Sequence, residues 1–177
     1  MSCKKKPGPI GPMGARGMKG DPGPPGTNNF IASYGQNTPD ANVPVPVVAA
    51  PGSPVLSIVV GGPGSPARFV TIAAAVTVLQ QPPDVYQTVE YAIRVTDADG
   101  VRIVTRTTLT ISDAGEGIEA GEIESAALAA RVPVAAGTVT VELLHRALVT
   151  FDPGPPIRSG AVILPTSGGL TVVETLT

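Results

Sequence analysis

The sequence predicts an all-β chain: a jelly-roll-like β-sandwich head, homotrimeric, preceded by a short collagen triple helix. Two observations predict it. Glycine recurs at every third position from Gly8 to Gly26, and the remainder alternates Val/Thr/Ile-rich runs with Gly and Pro punctuation. Strong helix formers are scarce outside one window, so composition favours strands. The 177 residues divide into an N-terminal connector (1–7), a stalk (8–26) and a head (27–177).

The stalk carries glycine at Gly8, Gly11, Gly14, Gly17, Gly20, Gly23 and Gly26 without a miss. Only hydrogen fits at the crowded axis of three intertwined polyproline-II chains, so a strict period of three is what a triple helix demands. A flexible proline-rich linker needs the prolines but not the register. A single such strand has no internal hydrogen bonds, so the pattern implies three copies. At ~3.1 Å per residue the rod spans about 55 Å. Lys19 and Asp21 flank Gly20, a spacing that suits an interchain ion pair worth no more than about 1 kcal/mol at an exposed site. So short a rod is marginal alone, and the head is the expected clamp, raising the effective concentration of the strands.

The connector holds the sole cysteine, Cys3, and the basic run Lys4, Lys5 and Lys6. One cysteine excludes an internal disulfide or a zinc cluster. Cys3 reads either as an inert exposed thiol or as a disulfide partner; three identical thiols cannot all pair within one trimer and the head offers none, so such a disulfide could join only tail to tail or to a foreign partner. Pro7-Gly8-Pro9 follows the lysines where a secretory signal needs an apolar run, and no stretch is long enough to span a membrane. The expectation is synthesis in a cytoplasm without a signal peptide and release by lysis. A net charge of −2 argues against nucleic acid as the main partner.

In the head, Phe30 to Tyr34 begins the strands. Val43 to Val48 is extended, confined to an edge by its prolines. Val55 to Val60 and the long run Arg68 to Gln80 follow; small residues at Ala73, Ala74 and Ala75 allow close approach of another backbone. Tyr86 to Thr96, the turn Asp97-Ala98-Asp99-Gly100 and Val101 to Ser112 form the clearest hairpin. Val89, Tyr91, Ile93 and Val95 are expected on one face, and on the return strand Val101, Ile103, Leu109 and Ile111 on one side with Arg102, Arg106, Thr108 and Thr110 on the other. Glu116 to Arg131 reads as a short helix or loop. Thr138 to Phe151, Ala161 to Leu164 and Leu170 to Leu176 complete eight to ten strands, the profile of a sandwich or jelly roll.

Collagen triplets from Gly8 to Gly26 leading into a β-rich head resemble the collagen-like proteins of bacterial spore surfaces, whose trimeric heads are jelly rolls similar to tumour-necrosis-factor-like domains. The proline-rich leader of the best-known members is missing and the stalk is short, so a stacking subunit of an endospore appendage or pilus is the nearest form. The resemblance implies a spore or cell surface, assembly inside a mother cell, and a spore-coat anchor protein as a further partner.

Chemistry is sparse. His145 is the sole histidine, in phase with Val139, Val141 and Leu143. It reads as packed or interfacial, with convergence of three copies on a threefold axis as the sharper alternative. The Gly-rich stretches lack the context of a phosphate loop, and Asp97 with Asp99 lacks calcium-loop spacing. No catalytic, cofactor or metal residue is assigned, and no enzyme activity is expected. Glu116, Glu119, Glu122 and Glu124 form an acidic patch able to receive Lys4 to Lys6 of the next trimer. The expected function is a structural subunit of a trimeric collagen-like fibre, assembling head to tail through the joint Cys3, Lys4, Lys5 and Lys6. The alternative is a terminal receptor- or glycan-binding head of an adhesin or phage tail fibre.

Overall fold

The computed structural model describes residues 29–46, 50–80, 86–112, 123–148, 161–163 and 167–176. The triplet glycines Gly8 to Gly26, Cys3, Lys4 to Lys6, Lys19 and Asp21 lie outside the described residues, as do Glu116, Glu119 and Glu122.

The described residues form ten strands: β1 (Phe30–Asn37), β2 (Val43–Pro44), β3 (Ser53–Val60), β4 (Arg68–Gln80), β5 (Tyr86–Asp97), β6 (Gly100–Ser112), β7 (Ile123–Val134), β8 (Val139–Leu148), β9 (Ala161–Ile163) and β10 (Gly169–Thr175). Their pairing is nested. β5 pairs with β6 across the Asp97–Gly100 turn, β4 with β7, β3 with β8, β2 with β9 and β1 with β10, all antiparallel. The chain is thus doubled back on itself at that turn, and the doubled ribbon is rolled into two sheets. That is a jelly roll.

The first sheet runs β1-β10-β4-β9-β2, with β7 along the other side of β4. The second runs β3-β8-β5-β6. Alternation on β4 sends Val70, Ile72, Val76 and Val78 inward, where they meet Val89, Tyr91, Ile93 and Val95 of β5 and Val139, Val141 and Leu143 of β8, all essentially unexposed. β2 is held to two residues at the end of its sheet, as its prolines require.

Two expectations are corrected. Residues 123–131 are neither helix nor loop but the larger part of β7. Ala126 and Leu128 point inward and Ser125, Ala127 and Ala129 outward, an alternation of period two hidden by the helix propensity of alanine. Twelve registered pairs with β4 override that propensity. The return strand β6 also changes phase. Ile93 faces Thr105 while Arg94 faces Ile103, leaving Val104 as a bulge. The extra residue flips the side chains beyond it. Val101 is therefore 67 % exposed, while Arg102 turns toward the end of the sandwich.

The turns 61–67, 98–99 and 135–138 lie at the same end of the sandwich as the start of β1 and the finish of β10, since Val60 pairs with Val139, Arg68 with Val134, and Phe69 with Thr175, itself opposite Phe30. The chain therefore enters and leaves the head side by side. At the opposite end, Gly168 sits where an added Cβ would stand 1.9 Å from the Ala75 carbonyl oxygen. The obstacle is backbone and cannot swing away. Gly168→Ala is expected to cost about 1–3 kcal/mol, read as a lower urea midpoint; an unchanged midpoint would show that the 167–169 segment moves freely from β4.

Candidate functional site: a self-association face

The two outward faces of the sandwich differ in chemistry. On the second sheet, Glu90 stands opposite Arg146 and Arg94 opposite Glu142 across the β5–β8 ladder. Arg146 Nε donates to Glu90 at 2.8 Å and Arg94 Nε to Glu142 at 2.6 Å, with Arg106 of β6 at 4.0 Å from Glu90. The hydrogen bond from Arg146 holds the Glu90 carboxyl below its ordinary range, and that to Glu142 raises Arg94. These pairs are largely covered: Glu90 is 8 % exposed, and Ala92 and Leu144, paired between them on the same face, are buried.

The first sheet presents the opposite surface. Its outward positions form rows across four strands: Ser33, Val173, Thr71 and Arg131; Gly35, Thr171, Ala73 and Ala129; Asn37, Gly169, Ala75 and Ala127. Most of these residues are exposed, and Arg131 alone among them is charged. Its guanidinium lies over the Phe69 ring, 4.6 Å from the centroid. Between the alanines the surface sinks into an open depression of about 560 Å³ bounded by Asn37, Gly169 and Thr171. At the rim where the chain enters, Phe30 is 52 % exposed and Ile31 40 %, beside Leu176, whose amide donates to the Asn29 carbonyl at 2.8 Å. Apart from Arg131 at its edge, this surface of small residues has no charge to desolvate when another copy covers it, and its short side chains admit close backbone approach.

The end where the chain enters is closed by polar clamps. Arg68 and Glu174, 1 % and 2 % exposed, form a buried ion pair on the inward face of the first sheet. Arg68 Nη1 also donates to the Pro66 and Gly137 carbonyls at 3.0 and 3.2 Å. Gly61, at φ +67°, leaves room for that guanidinium, since a Cβ there would lie 2.1 Å from Nη2. Alongside, Arg102 grips Asp97 through two bonds of 3.0 and 2.9 Å and donates to the Pro133 carbonyl at 2.7 Å. Burial pushes the Asp97 carboxyl up, but the bonds from Arg102 and the Ala135 amide outweigh it and leave the group below its usual range.

His145 lies inside the sandwich, 4 % exposed, opposite Tyr91 across the β5–β8 ladder. His145 Nδ1 and the Tyr91 hydroxyl are both buried without a hydrogen-bond partner. Burial lowers the imidazole to about 4 and raises the phenol. A side chain enclosed in its own sandwich cannot meet two symmetry copies on an axis, which removes the threefold-site alternative.

The structure thus brings together Ala73 and Ala75 with β7 and β10, while the connector and triplet residues lie outside the described set. Sequence reasoning missed the Arg68–Glu174 pair, the Asp97–Arg102 clamp and the charged ladder. A signal for the first existed: Arg68 shares the inward phase of Val70 and Ile72, and Glu174 that of Leu170 and Val172. A charge in a core phase on two strands asks for a partner.

No protein-family model matches the chain, and no curated protein does. Among solved structures it is similar to an Eiger TNF from S. frugiperda, at 13 % identity and a TM-score of 0.39, over 64 % of this chain and 62 % of that one. It is also similar to a protein of infectious bursal disease virus, Gx strain, at 13 % identity and a TM-score of 0.43, over 82 % of this chain and 32 % of that one. A chain of the lipid-containing bacteriophage PM2 matches at 12 % identity and a TM-score of 0.36, over 80 % and 50 %. The chain spans less than two thirds of the length of each. The jelly-roll assignment stands on the nested strand pairing of the chain itself.

Proposed function

We propose that the protein is a structural, non-catalytic subunit of a collagen-like surface fibre. Three copies join through the uncharged face of the first sheet, their triplets wind into a rod, and trimers stack head to tail on a spore or cell surface. The observation that carries this reading is the unbroken glycine register at Gly8, Gly11, Gly14, Gly17, Gly20, Gly23 and Gly26. In sequence that register lies just before β1, a strand of the first sheet. A threefold assembly repeats one surface about an axis and leaves distinct upper and lower ends, so end-to-end contacts propagate without closing. Cys3 to Lys6 supply the joint.

Native mass spectrometry with electron microscopy tests the whole reading: three chains per particle and an axial repeat are expected. One or two chains per particle would end it, and lone trimers at high concentration would favour a terminal binding knob instead. The face is tested separately. Ala129→Glu places a carboxylate on the small-residue row and is expected to shift the native mass toward one chain and abolish the rod's cooperative melting. The head's strand signal in circular dichroism should persist. Intact trimers in Ala129→Glu and in Ala73→Glu alike would remove this face from the assembly.

A further inference from the structure

We infer that β1 and β10 form a force-bearing clamp, so that the head resists load arriving through its N-terminal segment far better than load between its two termini. The ladder begins where Asn29 O accepts from Leu176 N at 2.8 Å and finishes where Thr38 N donates to Gly168 O at 3.0 Å. Between these points β1 runs from the entry end to the opposite end, in register with β10 from Phe30 opposite Thr175 to Asn37 opposite Gly169. Antiparallel hydrogen bonds stand perpendicular to the strands. A pull along β1 from its N-terminus therefore shears the ladder, and every bond shares the load at once.

Three further features oppose sliding. A register shift between Phe30 and Ala32 places an irregularity in the ladder, so a one-residue slip moves the bulge and turns every side chain to the wrong face. Gln36 Oε1 accepts from Ser57 N at 2.8 Å, tying β1 to β3 in the other sheet. Thr38 is 3 % exposed, and its hydroxyl also reaches Gly168 O at 3.4 Å. β10 is itself anchored, by its register with β4 from Gly169 opposite Ala75 to Thr175 opposite Phe69 and by the buried Glu174–Arg68 pair. Opposed pulling on residues 29 and 176 meets none of this resistance together. Those residues are neighbours at one end, so their bonds open one after another.

A fibre subunit loaded through its stalk gives the clamp its purpose, and to that extent the inference rests on the proposed function. The mechanics belong to the fold. The test is single-molecule force spectroscopy on the full chain, in whatever oligomer it forms, with one handled chain among Cys3→Ser copies. Native Cys3 carries one handle. The second is Ile123→Cys, 59 % exposed at the far end of β7, or Leu176→Cys, 43 % exposed. At one loading rate, the rupture force between 3 and 123 is expected to exceed that between 3 and 176 several-fold. Gln36→Ala with Thr38→Ala should lower the first force and leave the onset of the second unchanged, because unzipping starts at the other end of the ladder. Equal forces, or a double substitution that lowers both alike, would overturn the clamp. Neither result bears on stoichiometry or axial repeat, which imaging decides on its own.

Discussion

Arg68→Ala should lower the unfolding free energy of the head by about 3–5 kcal/mol, the cost of leaving one member of a buried ion pair uncompensated. The Glu174 carboxylate, 2 % exposed, would remain inside the sheet without its cation. The loops 61–66 and 135–138 would also lose their shared donor, since Arg68 joins the Pro66 and Gly137 carbonyls. Glu174→Ala should cost a similar amount. Combining Arg68→Met with Glu174→Leu should recover most of the loss, because a buried pair replaced by apolar groups of like volume is often neutral. Arg68→Lys should not, since an ammonium lacks the fork that spans carboxylate and carbonyl together. Urea unfolding of the four variants makes the comparison. A loss under about 1 kcal/mol in Arg68→Ala, the range of exposed pairs, would show that water reaches the site.

Acid should destabilise the head in a window set by His145. Its folded value of about 4 lies below the ordinary 6.5, so the unfolded chain takes up the proton first. Stability is complete above pH 6.5, falls as pH drops through that value, and stops falling from this cause near pH 4, where both states are charged. The whole difference is about 3 kcal/mol per chain. Glu90 and Asp97, whose carboxyls are held below 4.5 and 3.8, lose their contribution only at lower pH. The slope between 6.5 and 4.5 therefore belongs to the imidazole. Urea midpoints measured across this range in the parent and in His145→Gln provide the check. A slope that survives the substitution would assign the acid response elsewhere.

Much of the head is legible in its sequence because its strands obey a period of two. The run Arg68 to Gln80 announces itself by its apolar length and the Asp97–Gly100 hairpin by alternation and turn chemistry, and the structure forms both, with the return strand changing phase at Val104. What escapes is what depends on a neighbour. Alanines 126, 127, 129 and 130 become strand only because β4 lies beside them with its own alanines. Val104 becomes a bulge only against β5, so the phase of Val101 and Arg102 cannot be counted along one strand. The proposed self-association face is half legible: the run Ala73 to Ala75 signals a close approach, but the surface of small residues arises from registering β1, β10, β4 and β7 side by side.

The nesting of the strands also dictates an order of events in time. β1 reaches its partner only when residues 169–175 have been made, so the earliest part of the head is closed by the latest. Loop closure over that separation comes late in folding. On the proposed reading, a rod joined to β1 would wait for three finished heads and then wind from Gly26 back toward Gly8, opposite to the direction in which the ribosome delivered it.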